Sequence, residues 1–125
     1  MNDPLAERLE HAYSGAVYDV LRARGFPNQV LPSTIRPLDP TKKLTGRVFT
    51  VEGRADDHLD PHETLLAWTE LLSRAPAGHV VICQPQDSTL SHMGELSAET
   101  LVYRGVKGYI VDGGCRDTEF ILKLG

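Results

Sequence analysis

"HVVICQPQDSTLSHMGELSAETLVYRGVKGYIVDGGCRD", His79 to Asp117, is the stretch that decides the fold. HVVICQ, residues 79–84, is a short apolar run that reads as a buried strand. PQDSTLSHM, residues 85–93, is a loop of polar and turn-forming residues. GELSAETLVYRG, residues 94–105, opens on one glycine, continues in helix-forming residues and stops at another, which reads as a helix. GYIVDGG, residues 108–114, is a second strand, and RDTEFILKLG, residues 116–125, a second helix. Strand, helix, strand, helix is a βαβ unit with parallel strands and a right-handed crossover. The near-continuous apolar strands predict a sheet covered on both faces.

In a βαβ unit the two strand-to-helix loops lie together at the carboxyl ends of the strands, where ligands bind. One loop leads into Gly94, Glu95, Leu96 and Ser97; the other carries Gly113, Gly114, Cys115, Arg116 and Asp117. The helix start at Gly94 offers unpaired backbone N–H groups at the positive end of a dipole, and glycine lets a ligand come close. Such a start suits a carboxylate or phosphate. Arg116 can grip the same anion through two parallel hydrogen bonds. Asp117 and Glu95 repel an anion unless a cation lies between, so a hard divalent ion such as Mg²⁺, held by one carboxylate and waters, resolves the conflict. A plainer reading stands beside this one: an aspartate in a first helical turn and a solvated arginine.

Working outward, Asp3 and Pro4 open an N-terminal helix whose apolar residues Leu5, Leu9, Ala12, Ala16, Val17, Val20 and Leu21 recur at helical spacing, and Gly25 stops it. A connection with four prolines follows, then GRVFTVEG, residues 46–53, which reads as a strand. Asp60, Pro61 and Glu63 open a helix with a capping-box spacing that ends near Ala75. The 125 residues suggest one domain, and neither a membrane span nor a secretory signal is evident, so the expected setting is cytoplasmic. Cys83 and Cys115 read as reduced thiols, and the net charge of −4 argues against direct nucleic-acid binding.

Several other residues carry weaker signals. His92, Asp87 and Ser88 share the first loop, and His92 is a candidate proton donor or a solvated loop residue. Asp56, Asp57, His58, Asp60 and His62 form an acidic, histidine-bearing run, better read as a loop and helix start than as a metal cluster. His79 reads as structural and Trp68 as core or subunit interface. A Schiff-base lysine is disfavoured: Lys107 precedes its strand and so lies at the opposite end from the two loops, and Lys42, Lys43 and Lys123 have no evident reason to be near.

GELSAETLVYRGVKGYIVDGGCRD, residues 94–117, resembles the family that joins the RraA-like regulators of ribonuclease E with the 4-hydroxy-4-methyl-2-oxoglutarate aldolases. Weaker likeness extends over the N-terminal helix, GRVFTVEG and APAGHVVI. The resemblance implies an α/β fold of the swivelling ββα type, assembled as homotrimers or homohexamers with sites between subunits. It implies a class II lyase that releases pyruvate from a 2-oxo acid and also decarboxylates oxaloacetate. Backbone amides of Leu96 and Ser97 after Gly94 would hold the substrate, Arg116 would bind its oxygens, Asp117 would ligate Mg²⁺, Mn²⁺ or another divalent metal, and Glu95 would contact a water on that metal. Ser97 stands where the family often has leucine, which leaves the backbone amide unchanged. The other branch implies a non-catalytic regulator that binds ribonuclease E. Members of the family continue beyond this motif with further strands and acidic residues that reach a neighbour's site, so residues 1–125 are expected to be a single domain incomplete at its C-terminus.

Overall fold

The computed structural model describes residues 3–125. Its elements run α1 (Pro4–Glu10), α2 (Ser14–Ala23), β1 (Arg47–Glu52), α3 (Pro61–Arg74), β2 (His79–Gln84), α4 (Glu95–Tyr103), β3 (Gly108–Val111) and α5 (Thr118–Leu124). The three strands form one parallel sheet in the order β1-β2-β3. Each strand therefore feeds a helix that carries the chain back to start the next, and the expected βαβ unit occurs twice, sharing β2.

Register settles which residues face the helices. Phe49, Val81 and Tyr109 lie side by side across the sheet. They join Leu72 and Trp68 of α3, Leu101 and Ala98 of α4, Ile121 of α5, and Ala75, Met93 and Val106 in one apolar cluster. Helices α3, α4 and α5 thus pack on the same face. A hydrogen bond ties two of them: the Trp68 indole donates to Ser97 Oγ at 2.8 Å. Leu101 is the buried residue of α4, and Leu101→Ala is expected to cost about 2–5 kcal/mol through lost transfer energy and the cavity left behind. Urea unfolding measures this; a loss below about 1 kcal/mol would show that α4 repacks freely.

Cover on both faces is not what the structure has. On the opposite face Val80 is buried by the chain before β1, where Leu44 crosses Gly108 so closely that a Cβ there would lie 2.5 Å from its methyl. Farther along, Val48 is 53% exposed and Thr50 is exposed, while Ile82 and Ile110 are half-buried. Apolar strand composition reports burial in total and does not say how it is shared between faces.

Two local expectations also change. The N-terminal helix is two helices, and at the break the Lys43 ammonium takes the carbonyls of Glu10 (3.1 Å) and Ala12 (3.0 Å). A continuous helix would use both carbonyls internally. Asp3 does cap α1, accepting from the N–H groups of Leu5 and Ala6, and its other oxygen pairs with Arg47 at 2.7 Å. Arg47 and these amides hold the Asp3 carboxyl below the usual carboxylate range. At α3 the capping box does not form: Asp60 is the N-cap residue but its side chain makes no capping bond. Pro61 removes one orphan N–H and presets the helical φ, so the helix starts without that help.

Candidate anion and metal-binding site

The two loops meet as the parallel strands require, and backbone hydrogen bonds lock them together. Beyond β3 the Asp112 N–H still donates to Cys83 O at 3.0 Å, and Gly114 forms an isolated parallel bridge with Ser91. His92 N–H donates to Gly114 O at 2.8 Å, and Arg116 N–H to Met93 O at 2.9 Å. Arg116 and Asp117 are thereby set beside Gly94, the N-cap residue of α4.

Gly94 has extended backbone (φ −147°, ψ −178°), so its conformation is open to any residue and its role is space. A Cβ at this position would sit 2.9 Å from Asp117 Oδ2 and 3.1 Å from Arg116 Nε. Through that gap Asp117 Oδ2 accepts the first N–H of α4, from Glu95, at 3.1 Å. The same oxygen lies 3.6 Å from Arg116 Nε. Asp117 itself begins α5 in the left-handed region (φ 57°, ψ 31°), which aspartate tolerates better than most residues, and its side chain caps α4 instead of its own helix. The N–H groups of Leu96 and Ser97 are the next two in the first turn of α4, where helix geometry supplies no partner. Arg116 is 75% exposed, so its guanidinium is free to turn toward solvent or a ligand.

Of the residues singled out from sequence, Glu95, Arg116 and Asp117 meet at Gly94 in the crevice between the two loops, and Leu96 and Ser97 follow in the first turn of α4. One reassignment follows. The Ser97 hydroxyl is committed to Trp68, leaving its backbone amide for any ligand. Among the described residues no group of three or more His, Cys, Asp or Glu is arranged to hold a metal ion. The donor set fits only a hard ion bound by one carboxylate and otherwise by water, which is Mg²⁺-like coordination. The acidic run from Asp56 to His62 makes no such group either, and Asp56 instead accepts from His58 N–H in a local turn.

Other candidates resolve clearly. Lys43 and Lys107 are tied to the end of α1, Lys107 reaching Glu10 at 3.8 Å, and Lys123 bonds Glu119. His79 Nδ1 pairs with the Ala77 carbonyl. Cys83 and Cys115 are free thiols, and burial pushes both up, away from thiolate reactivity. Sequence reasoning missed a row of side-chain bonds across the strand ends. Gln86 donates to Glu52 at 2.7 Å, Gln84 accepts from Gln86 N–H, and Gln84 donates to Asp112 at 2.7 Å. It also left His92 and Asp87 as separate candidates; they are a bonded pair, 2.8 Å apart.

The fold is thus a parallel sheet with helices α3, α4 and α5 on one face and an arginine–aspartate loop set against the N-terminus of α4. The chain belongs to the RraA-like family, described as Aldolase/RraA, whose pattern matches residues 14–125. Solved structures agree. One, of novel cellulases from microbes associated with the gut ecosystem, is 28% identical with a TM-score of 0.82 over 99% of this chain and 58% of its own. RraAS2 of Streptomyces coelicolor, an unusual member of the RNase ES inhibitor RraA family, is 24% identical with a TM-score of 0.79 over 99% of this chain and 61% of its own. The RNA-processing inhibitor RraA of Thermus thermophilis is 21% identical with a TM-score of 0.67 over 91% of this chain and 63% of its own. The chain thus spans less than two thirds of the length of these structures. No described helix is long and apolar enough to cross a membrane.

Proposed function

We propose that this chain carries substrate-binding residues of a divalent-metal-dependent carbon–carbon lyase. Its substrate is a 4-hydroxy-2-oxo acid of the 4-hydroxy-4-methyl-2-oxoglutarate type, and its product is pyruvate. The observation that carries this reading is the meeting of Arg116 and Asp117 with the start of α4 at the gap left by Gly94, the Leu96 and Ser97 amides following in the same turn. Amides and guanidinium together neutralise a carboxylate, and a carboxylate beside them makes sense when a cation is shared. Asp117 would hold that ion, with Glu95 reaching it through water. The bound ion supplies Lewis-acid polarisation of the keto oxygen.

The chain's own residues then have distinct tasks. Leu96 and Ser97 amides and Arg116 fix the C1 carboxylate and so align the 2-oxo acid. In cleavage the C3–C4 bond breaks, its electron pair becomes the enolate of pyruvate, and the C4 hydroxyl becomes a carbonyl as it loses its proton. Glu95, partly buried in the first turn of α4, is the carboxylate suited to take that proton by way of water. Oxaloacetate decarboxylation passes through the same enolate and needs no such base. The cellulase description belongs to the neighbour that bears it: this crevice suits a small anion and a cation, not a pair of carboxyls across a sugar.

The alternative is a non-catalytic regulator binding ribonuclease E, since the family joins aldolases with RraA proteins. Pyruvate release from 4-hydroxy-4-methyl-2-oxoglutarate and from oxaloacetate, with Mg²⁺ and with EDTA, separates the two. The lyase reading expects metal-dependent release that disappears in Asp117→Asn. Background rates with both substrates, together with capture by ribonuclease E, would support the regulator instead. Homotrimeric or homohexameric assembly belongs to the same proposal, and sedimentation tests it.

A further inference from the structure

We propose that Asp87 and His92 are positioning residues for the Arg116–Asp117 crevice, acting as a wedge that sets the distance between the two loops. The inference rests on the anion-binding reading of that crevice. It starts from the saturation of the Asp87 carboxylate. Oδ1 accepts from Thr89 Oγ1 at 2.7 Å and Thr89 N–H at 3.2 Å. Oδ2 accepts from Leu90 N–H at 2.9 Å and from His92 Nε2 at 2.8 Å. An ionised carboxylate only accepts, so Nε2 carries the ring proton. These partners hold the Asp87 carboxyl far below the usual range. Side-chain exposure is 11% for Asp87 and 20% for His92, so the pair is structural in place and not a solvated ornament.

Its placement gives it a task. The imidazole bonds Asp87 in the first loop and rests on the second loop: a Cβ at Gly113 would lie 3.0 Å from His92 Cδ2. From the residues that flank and include His92 come the contacts that join the loops. These are Ser91 bridging Gly114, His92 N–H on Gly114 O and Met93 O on Arg116 N–H. His92 O also receives the Tyr109 hydroxyl at 3.5 Å. Gly94 follows two residues after the imidazole. A change in how His92 is held therefore moves the α4 amides relative to Arg116 without touching the bulk of the core.

The test compares His92→Gln with His92→Asn in the 125-residue chain. Gln is long enough to bond Asp87 and Asn is not. The probe is oxalate, a planar dianion shaped like a pyruvate enolate, titrated calorimetrically with Mg²⁺, beside Arg116→Ala. The amide resonance of Arg116 is followed beside that of Leu72 in the core. The wedge predicts oxalate affinity within about twofold of wild type for Gln and about tenfold weaker for Asn, with the Arg116 amide shifted in Asn and Leu72 unmoved. If Asn binds oxalate like wild type while Arg116→Ala does not, the wedge is wrong and the crevice stands. If Arg116→Ala binds like wild type, the crevice reading fails and takes the wedge with it. Should Asn fail to fold, Thr89→Val, which removes one bond to Asp87, is expected to weaken oxalate about two- to threefold, and no change would overturn the proposal.

Discussion

Arg116→Ala is expected to weaken oxalate or 2-oxo acid binding by about 10- to 100-fold while leaving thermal unfolding nearly unchanged. The size follows from hydrogen bonds to a charged partner, about 1.5–3 kcal/mol, at about 1.4 kcal/mol per tenfold. The silence in stability follows from exposure: the side chain is 75% exposed, and its one ionic neighbour, Asp117, lies at 3.6 Å. A pair so placed contributes little to folding. Arg116→Lys is expected to recover only part of the affinity, since an ammonium cannot present two parallel donors to a carboxylate. Calorimetry reads both variants. An unchanged dissociation constant in Arg116→Ala would remove the guanidinium from the binding machinery.

Gly114→Ala is expected to damage stability and binding together. A Cβ at Gly114 would meet Leu90 O at 2.6 Å and Leu90 C at 3.3 Å, both backbone atoms that cannot swing aside as a side chain can. The loop carrying Leu90 and Ser91 must move, and with it the bridge that joins the loops. Overpacking of this kind costs about 1–3 kcal/mol. Gly15→Ala is the matched control: nothing lies within 4 Å of its Cβ, and it sits within α2. There the same substitution is expected to stabilise by about 0.5–1 kcal/mol. Denaturant melts of both variants check the opposite signs, and a Gly114→Ala protein as stable as wild type would mean the loop junction is soft.

Much of this was legible because local chemistry and global fold agree. HVVICQ matches β2 residue for residue, and Gly94 and Gly105 bracket α4. Since parallel strands put consecutive strand-to-helix loops at one end, the proximity of Glu95 and Asp117 followed from topology alone. What was not legible depends on partners distant in sequence or on irregular backbone. The carbonyls at the break between α1 and α2 are taken by Lys43, about thirty residues on, which nothing in the helical spacing of Leu9 and Ala12 announces. The Trp68–Ser97 bond likewise joins side chains 29 residues apart on two different helices. His92 and Asp87 sit five apart in a loop, where no periodicity predicts a pairing. Asp117 read as a metal ligand, and the structure adds that its carboxylate caps a neighbouring helix.

The central position of β2 has a kinetic meaning. Among the described residues β1 and β3 each pair only with β2, so within this chain neither can join a ladder before it is in place. Each pairing also waits for a crossover of two to three dozen residues to close, from Glu52 to His79 and from Gln84 to Gly108. Closing such loops costs chain entropy before any ladder bond compensates, which makes all-parallel order slow to nucleate. Opening follows the reverse order: β1 or β3 can peel away singly, while β2 is released only when the whole sheet goes. Amide exchange should therefore be slowest at Val81 and Ile82, and the same strand that anchors the first loop of the crevice should be the last part of the molecule to loosen.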